Sequence, residues 1–170
     1  MQKEKFITII EIFYKSTRKL FQSIQDKLYE QYGIDMQTKG IPFHITLGSY
    51  ATEETDAIVS RIINVAIKTR GFDVKFIGLN HFGNVVRYME PEISEELINL
   101  HRYFDSDYAN EFDGWIPHAT DYRHSDAKEI ELSKQIVDKI GKLINTEIVG
   151  IELGEFFHQR KQFELCLNSD

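Results

Sequence analysis

Apolar residues along this chain alternate between the spacing of strands and the spacing of helices. Residues 6–13 (FITIIEIF) are almost all β-branched or aromatic, which predicts a buried strand. Residues 15–32 carry apolar side chains three or four positions apart and end before Gly33, which predicts an amphipathic helix stopped by that glycine. Residues 43–50 alternate as a strand does, and residues 53–69 return to helical spacing.

The middle of the chain predicts a hairpin and a further helix. Residues 72–80 and 84–89 have strand patterns and are joined by a turn that contains Gly83. A helix is predicted to open at Pro91 and to run to about Phe104. Its inward-facing residues are expected to be Ile93, Leu97 and Leu100 or His101.

The last third predicts one more strand and helix, followed by a second hairpin. Residues 105–114 are polar and indicate a loop, residues 115–122 predict a strand, and residues 126–143 predict a helix. Strands over residues 146–157 and 162–167 are expected to form the hairpin.

The two halves of the chain share one plan. The order of elements is β-α-β-α-β-β and then α-β-α-β-β, although sequence identity between the halves is weak outside one short motif. We therefore expect a single α+β domain with two pseudo-symmetric lobes, roughly residues 1–90 and 91–170, between which a strand can be exchanged. Each lobe is predicted to be a mostly antiparallel sheet with outer helices, and the two sheets flank a central cleft.

The shared motif is His-x-Thr preceded by a proline, as P-F-H-I-T-L in the first half and I-P-H-A-T-D in the second. Residues two apart in a strand point to the same face, so His44 projects with Thr46, and His118 projects with Thr120. If the halves are related by a pseudo-twofold axis, both pairs converge on one cleft. A phosphate fits between them.

Two histidines and two hydroxyls suit phosphodiester cleavage. The reaction needs a base for the incoming nucleophile and an acid for the leaving oxygen, and imidazole, with a pKa of about 6.5, serves in either role near neutral pH. Threonine hydroxyls can donate hydrogen bonds to the phosphate oxygens on which negative charge accumulates. This arrangement requires no metal ion and no cofactor.

Composition narrows the class of protein and of substrate. The 170-residue chain has a net charge of −7, which favours a small nucleotide or an RNA end over a long duplex. Its single cysteine, Cys166, excludes an intrachain disulfide. No apolar run is long enough to span a membrane, and the first apolar run lacks a signal-peptide cleavage site, so a cytoplasmic location is expected. Nothing indicates a stable protein partner, and a monomer is expected.

The paired motifs resemble the 2H phosphoesterase superfamily, in particular its bacterial 2′-5′ RNA ligase-like branch, over essentially the whole chain. The resemblance implies a bilobal α+β fold and hydrolysis of 2′,3′-cyclic phosphates or related 2′-5′ linkages, with ligation as the reverse reaction. It also implies that His44 and His118 are the acid–base pair and that Thr46 and Thr120 bind phosphate.

Three residues after the second motif extend this hypothesis. Members of the family often carry an arginine five positions after the second histidine, which is Arg123 here and is expected to bind phosphate. The odd offset turns Arg123 away from His118 unless the strand ends or bulges first. Asp121 replaces an apolar residue of the family, and it either faces outward or adds negative charge near the cleft. Tyr122 shares the parity of His118 and is the favoured candidate for stacking on a base.

Other interpretations stay open at this point. The histidines are structural in the simplest alternative, and a metal cluster of His118, Asp121 and His124 would have no standard ligand spacing. The same cleft can also belong to a non-catalytic module that binds nucleotides or RNA ends.

Overall fold

A computed structural model describes residues 6–33, 43–83, 86–105, 115–123, 144–155 and 160–168. The strands are β1 (Phe6–Phe13), β2 (Thr46–Ala51), β3 (Phe72–Phe82), β4 (Val86–Pro91), β5 (Ala119–Arg123), β6 (Ile144–Glu155) and β7 (Arg160–Cys166). The helices are α1 (Lys15–Tyr32), α2 (Thr55–Lys68), which follows a 3₁₀ turn at Thr52–Glu54, and α3 (Glu95–Arg102). The helix predicted over residues 126–143 and most of the loop predicted over residues 105–114 lie outside the described residues.

The first strand and the first helix have the bounds that the apolar pattern predicts. Gly33 ends α1 with a φ of 67°, and its N–H donates to the carbonyl of Tyr29. This left-handed conformation favours glycine because it lacks a Cβ. Local sequence therefore determines the C-terminal end of α1.

The third helix begins later than predicted. Pro91 is the last residue of β4, a strand-end position that tolerates its missing N–H. The helix starts instead at Glu95, after Ser94 caps it by accepting a hydrogen bond from the N–H of Leu97 at 3.2 Å. Ile93 precedes the helix and is 61% exposed, so the prediction that it faces inward is wrong. Leu97 is buried as predicted, together with Leu100 and His101.

The seven strands form one connected sheet, not two. Its path is β2-β1-β6-β3-β4-β5, with β7 also paired to β6, and every pairing between these strands is antiparallel. The expected separation into two sheets is wrong because β6 belongs to both halves. Residues 144–148 of β6 pair with β3, whereas residues 148–155 pair with β1 and residues 150–155 also pair with β7.

The strand order has an internal symmetry. If β1, β2 and β3 are exchanged with β4, β5 and β6, the same path results, read in the opposite direction. The third strand of each set, β3 or β6, therefore pairs with the first strand of the other set. This order is what a duplicated chain with strand exchange would produce. The arrangement of the halves as two lobes around a cleft stays a prediction.

Four aromatic rings make the core beside the first motif. Phe13, Phe21, Phe43 and Phe76 contact one another in stacked and edge-to-face pairs, and each is at most 5% exposed. Burying each such side chain contributes about 1.5–3 kcal/mol. Phe43 directly precedes the first motif histidine, so this core fixes the point at which that motif enters the sheet.

None of the helices in the described part of the chain combines the length and the apolar character needed to cross a bilayer.

Candidate active site

The two motif strands lie at opposite ends of the sheet path and meet through one backbone bridge. Ile45 pairs with Ala119 in antiparallel orientation, and both side chains are fully buried. In an antiparallel pair the residues on either side of a bridge also face each other. Extending this register, we expect position 44 to lie across from position 120, and position 46 across from position 118. All four are then expected on the face opposite the buried bridge pair.

The first motif histidine lies just before β2, between two buried neighbours. Phe43 is held in the aromatic core, and the carbonyl of Ile45 accepts a hydrogen bond from the N–H of Glu11 at 3.1 Å. His44 and Thr46 are both half-buried. The backbone on each side of His44 is thus fixed while the two motif side chains keep access to solvent.

The ring of the second motif histidine contacts a nearby backbone carbonyl and two aromatic rings. His118 Nδ1 lies 2.7 Å from the carbonyl oxygen of Ile116, and because a carbonyl only accepts, Nδ1 carries the hydrogen. Phe82 and Tyr88 contact the imidazole edge-to-face, with centroids 4.9 Å and 5.4 Å away. This tautomer assigns any proton exchange with a substrate to Nε2.

Tyr88 packs against the ring of His118, and its phenol is neutral. It is buried on β4 and stacks on Phe82 at 4.4 Å. Burial raises the pKa of Tyr88, and the charge of Glu90 adds to the rise. Tyr88 also pairs with Thr120 in the sheet, which places it on the same strand face as the motif.

Both motif strands contain a bulge directly after the threonine. In the first, Ile10 pairs with Thr46 and Ile9 with Gly48, so Leu47 is the extra residue. An extra residue shifts the alternation by one position, so residues after the bulge lie on the face opposite to the one expected from a regular strand.

The second bulge has the same place in its motif. Tyr88 pairs with Thr120 and Arg87 with Tyr122, so Asp121 is the extra residue. Leu47 and Asp121 are thus equivalent positions of the two halves.

The second bulge changes which later residues share the motif face. Val86 pairs with Arg123, and regular alternation after the bulge would return position 123 to the face of positions 118 and 120. Arg123 follows His118 by five positions, and an odd offset of this kind places both residues on one face only if the strand bulges between them. By the same register, position 122 pairs with buried Arg87. The assignment of Tyr122 to base stacking stays a prediction. His124, the third member of the alternative metal cluster, lies outside the described residues.

Sequence reasoning missed two residues that contact the first motif strand. His101 Nδ1 bonds to the carbonyl of Leu47 at 2.9 Å, and Trp115 Nε1 donates to the carbonyl of Thr46 at 3.1 Å. The single tryptophan of the chain, three residues before His118, was the available signal, whereas nothing local distinguishes His101 from a core residue of a helix.

Glu11 is a buried carboxyl behind the first motif. It is fully buried, and neither carboxyl oxygen has a hydrogen-bond partner among the residues that the structure describes. Burial raises the pKa of Glu11 well above its ordinary value, because the apolar surroundings disfavour the charged carboxylate. A lone glutamate within an apolar strand was the signal in the sequence.

Comparison with known proteins identifies the fold. No family model and no curated protein matches the chain. The structure of TT0787 of Thermus thermophilus aligns over 97% of this chain and 99% of its own, with a TM-score of 0.64 and 14% identity. Escherichia coli LigT complexed with 3′-AMP aligns over 98% and 100%, with a TM-score of 0.63 and 14% identity. The chain has the LigT fold.

The LigT fold agrees with the resemblance carried by the paired motifs. A structure described as a phosphoesterase shares this fold over 97% of this chain and 99% of its own, with a TM-score of 0.58 and 12% identity. The α+β class with a mostly antiparallel sheet is therefore confirmed, and membership of the 2H phosphoesterase superfamily stays a prediction. LigT itself has been crystallised with phosphate, NADP⁺ and ATP.

Proposed function

We propose that this protein is a metal-independent phosphoesterase that cleaves 2′,3′-cyclic phosphates or related 2′-5′ ribonucleotide phosphodiesters. The observation that carries the proposal is the bridge between Ile45 and Ala119. Its register supports the expectation that the four positions of the two His-x-Thr motifs share one strand face. Two acid–base groups and two hydroxyls on one face meet the requirements of phosphoryl chemistry.

The histidines exchange protons on opposite sides of the phosphorus. One neutral imidazole, of His44 or His118, removes a proton from water while the water oxygen bonds to phosphorus. The bond from phosphorus to one ribose oxygen breaks, and the other histidine, protonated, gives its proton to that oxygen. The product is a phosphomonoester. Because Nδ1 of His118 donates to a backbone carbonyl, Nε2 is the atom through which His118 acts.

The remaining site residues bind the phosphate in this proposal. Thr46 and Thr120 donate to the non-bridging oxygens, on which charge grows in the transition state. Arg123 neutralises part of that charge, and the register shift at Asp121 supports this role because it compensates for the odd offset from His118.

Two further observations support this class of substrate. LigT, which shares the fold, has been crystallised with 3′-AMP and with phosphate. The net charge of −7 is unfavourable for wrapping long RNA but compatible with a mononucleotide or a strand end. The physiological substrate, the direction of the reaction, a cytoplasmic location and a monomeric state remain predictions.

Turnover of 2′,3′-cyclic nucleotides in the presence of EDTA tests the proposal. Replacing His44 or His118 with alanine is expected to lower kcat by about 10²–10⁴-fold, the usual contribution of a general acid or base. The control is His81→Ala, since His81 is exposed near the end of β3 and bonds only locally to the carbonyl of Gly83 among the contacts described. Wild-type turnover in both motif variants would exclude the proposed mechanism.

The alternative is a module that binds nucleotides without cleaving them. The observation that favours it is the acidic residue Asp121 at the bulge, where negative charge would oppose a phosphate transition state. Saturable binding of 3′-AMP with no turnover of any cyclic nucleotide would support this alternative.

A further inference from the structure

The end of α3 and the segment before β5 cover the outer edge of the first motif strand. Trp115 Nε1 donates to the carbonyl of Thr46 at 3.1 Å, and His101 Nδ1 bonds to the carbonyl of Leu47 at 2.9 Å. The two rings are stacked, with centroids 3.8 Å apart and an interplanar angle of 6°. Two side chains that support each other thus hold two successive carbonyls of the strand.

The bulge explains why the Leu47 carbonyl is available to His101 although the Thr46 carbonyl next to it is bound by Trp115. The carbonyl of Ile45 points towards β1, where it accepts from Glu11. Carbonyls alternate in direction along a regular strand, so that of Thr46 points outward and that of Leu47 would return to β1. The register shift at Leu47 interrupts this alternation, and the Leu47 carbonyl is bound by His101 instead.

His101 acts as a neutral donor. A carbonyl only accepts, so Nδ1 carries the hydrogen. Burial lowers the pKa of His101, an effect that its hydrogen bond to Leu47 and the charge of Asp105 only partly offset. The imidazole therefore keeps one fixed donor at neutral pH.

We propose that His101 and Trp115 are positioning residues for the first motif: by binding the carbonyls of Thr46 and Leu47, they fix the bulge and so the direction of His44 and Thr46. A slip of one residue in a strand turns every side chain to the other face, and bulges commonly re-aim functional side chains. The inference deepens the proposed function, on which its kinetic readout rests.

Three variants distinguish a role in positioning the motif from a contribution to the stability of the fold alone. His101→Phe keeps the stacked ring but removes the donor, and Trp115→Phe does the same for the indole. The matched control is Tyr50→Phe, which removes the 2.7 Å hydrogen bond from Tyr50 to the carbonyl of Phe104 and the 3.3 Å hydrogen bond that Tyr50 accepts from Arg61. The first of these joins β2 to the turn that follows α3, and neither involves the motif carbonyls.

The expected result is a fall in kcat that stability does not explain. His101→Phe and Trp115→Phe should lower kcat for a 2′,3′-cyclic nucleotide by about 10–100-fold, the scale of a small misplacement of catalytic groups. Tyr50→Phe should lower the denaturation midpoint to a similar extent and leave kcat unchanged. His101→Asn, which restores an N–H donor, should recover part of the lost kcat. Equal kcat values in all the variants would overturn the inference.

A second readout needs no turnover and keeps the two proposals distinguishable. The ring Cε1–H resonance of His44 reports its surroundings in the protein without ligand. It should shift in His101→Phe and Trp115→Phe but not in Tyr50→Phe, even if the wild-type protein cleaves nothing and the proposed function fails. An unchanged His44 resonance in both ring variants would overturn the inference whether or not the protein is an enzyme.

Discussion

Ile45 and Ala119, the middle residues of the two His-x-Thr motifs, pair with each other across an antiparallel bridge and are both fully buried. The pair joins the strands at the two ends of the sheet path. Since neighbours along a strand point to opposite faces, the burial of this pair supports the prediction that the motif histidines and threonines lie on the other side. One backbone contact thus turns two distant tripeptides into a candidate site.

Enlarging Ala119 should separate the motif strands. Ala119→Val adds two methyl groups to a fully buried position, which we expect to cost about 1–3 kcal/mol and to lower turnover at least about tenfold. Ala66 on α2 is 1% exposed and offers the matched control, Ala66→Val. Urea denaturation and turnover of a cyclic nucleotide would be measured for both. A similar loss of activity in both variants would assign no special role to the bridge.

Removing the Thr46 hydroxyl should weaken phosphate stabilisation. A hydrogen bond to a charged group contributes about 1.5–3 kcal/mol, so Thr46→Val should lower kcat/KM by about 10–100-fold. Thr146→Val is the control, because it removes a buried hydroxyl that bonds to Thr17 at 2.6 Å. The control should lose stability but keep its turnover. Unchanged kcat/KM in Thr46→Val would remove this hydroxyl from the mechanism.

Glu11 should make the protein less stable as pH rises. Burial raises its pKa in the folded state, so above about pH 4.5 the unfolded chain releases a proton that the folded chain retains. The free energy of unfolding therefore falls with increasing pH, by at most about 1.4 kcal/mol per pH unit, until the folded-state pKa is reached. Glu11→Gln cannot ionise and should lack this decline.

Urea denaturation of the two proteins between pH 4 and pH 8 measures the effect. Glu96→Gln, at an exposed position of α3, is the control and should follow the wild-type curve. Parallel curves for wild type and Glu11→Gln would mean that Glu11 ionises alike in the folded and unfolded states.

Trp115 reports the protonation of His101. Trp115 is the only tryptophan in the chain, and its ring stacks on His101, so protonating that imidazole should quench the indole fluorescence. Because burial lowers the pKa of His101, the midpoint is expected below about pH 6.5 and should vanish in His101→Phe. A midpoint at or above this value would contradict the assignment.

The same shift predicts a loss of stability in mild acid. Below about pH 6.5 the unfolded chain takes up a proton on His101 that the folded chain does not. The free energy of unfolding should therefore fall as the pH drops from this value towards the folded-state pKa of His101. His101→Phe should lose this part of the pH dependence, which urea denaturation between pH 5 and pH 7 would measure.

Much of the local structure followed from neighbouring residues. The run FITIIEIF and the helical spacing after it predicted β1 and α1 with their observed bounds, since strand pattern, helix spacing and the Gly33 stop are properties of adjacent positions. The start of α3 was misplaced because Pro91 suits the end of a strand as well as the start of a helix, and only the pairing of β4 distinguishes the two.

The sequence by itself determined which chemistry was available: two His-x-Thr motifs on strands, each with a histidine and a threonine on one face. Tertiary structure decided how these groups are combined, through the bridge of Ile45 with Ala119 and the bulges at Leu47 and Asp121. A bulge exists only relative to the strand with which it pairs, and the bridge joins residues 45 and 119, far apart in the chain. The register of such pairings depends on how the whole sheet packs, and the local pattern of residues does not encode it.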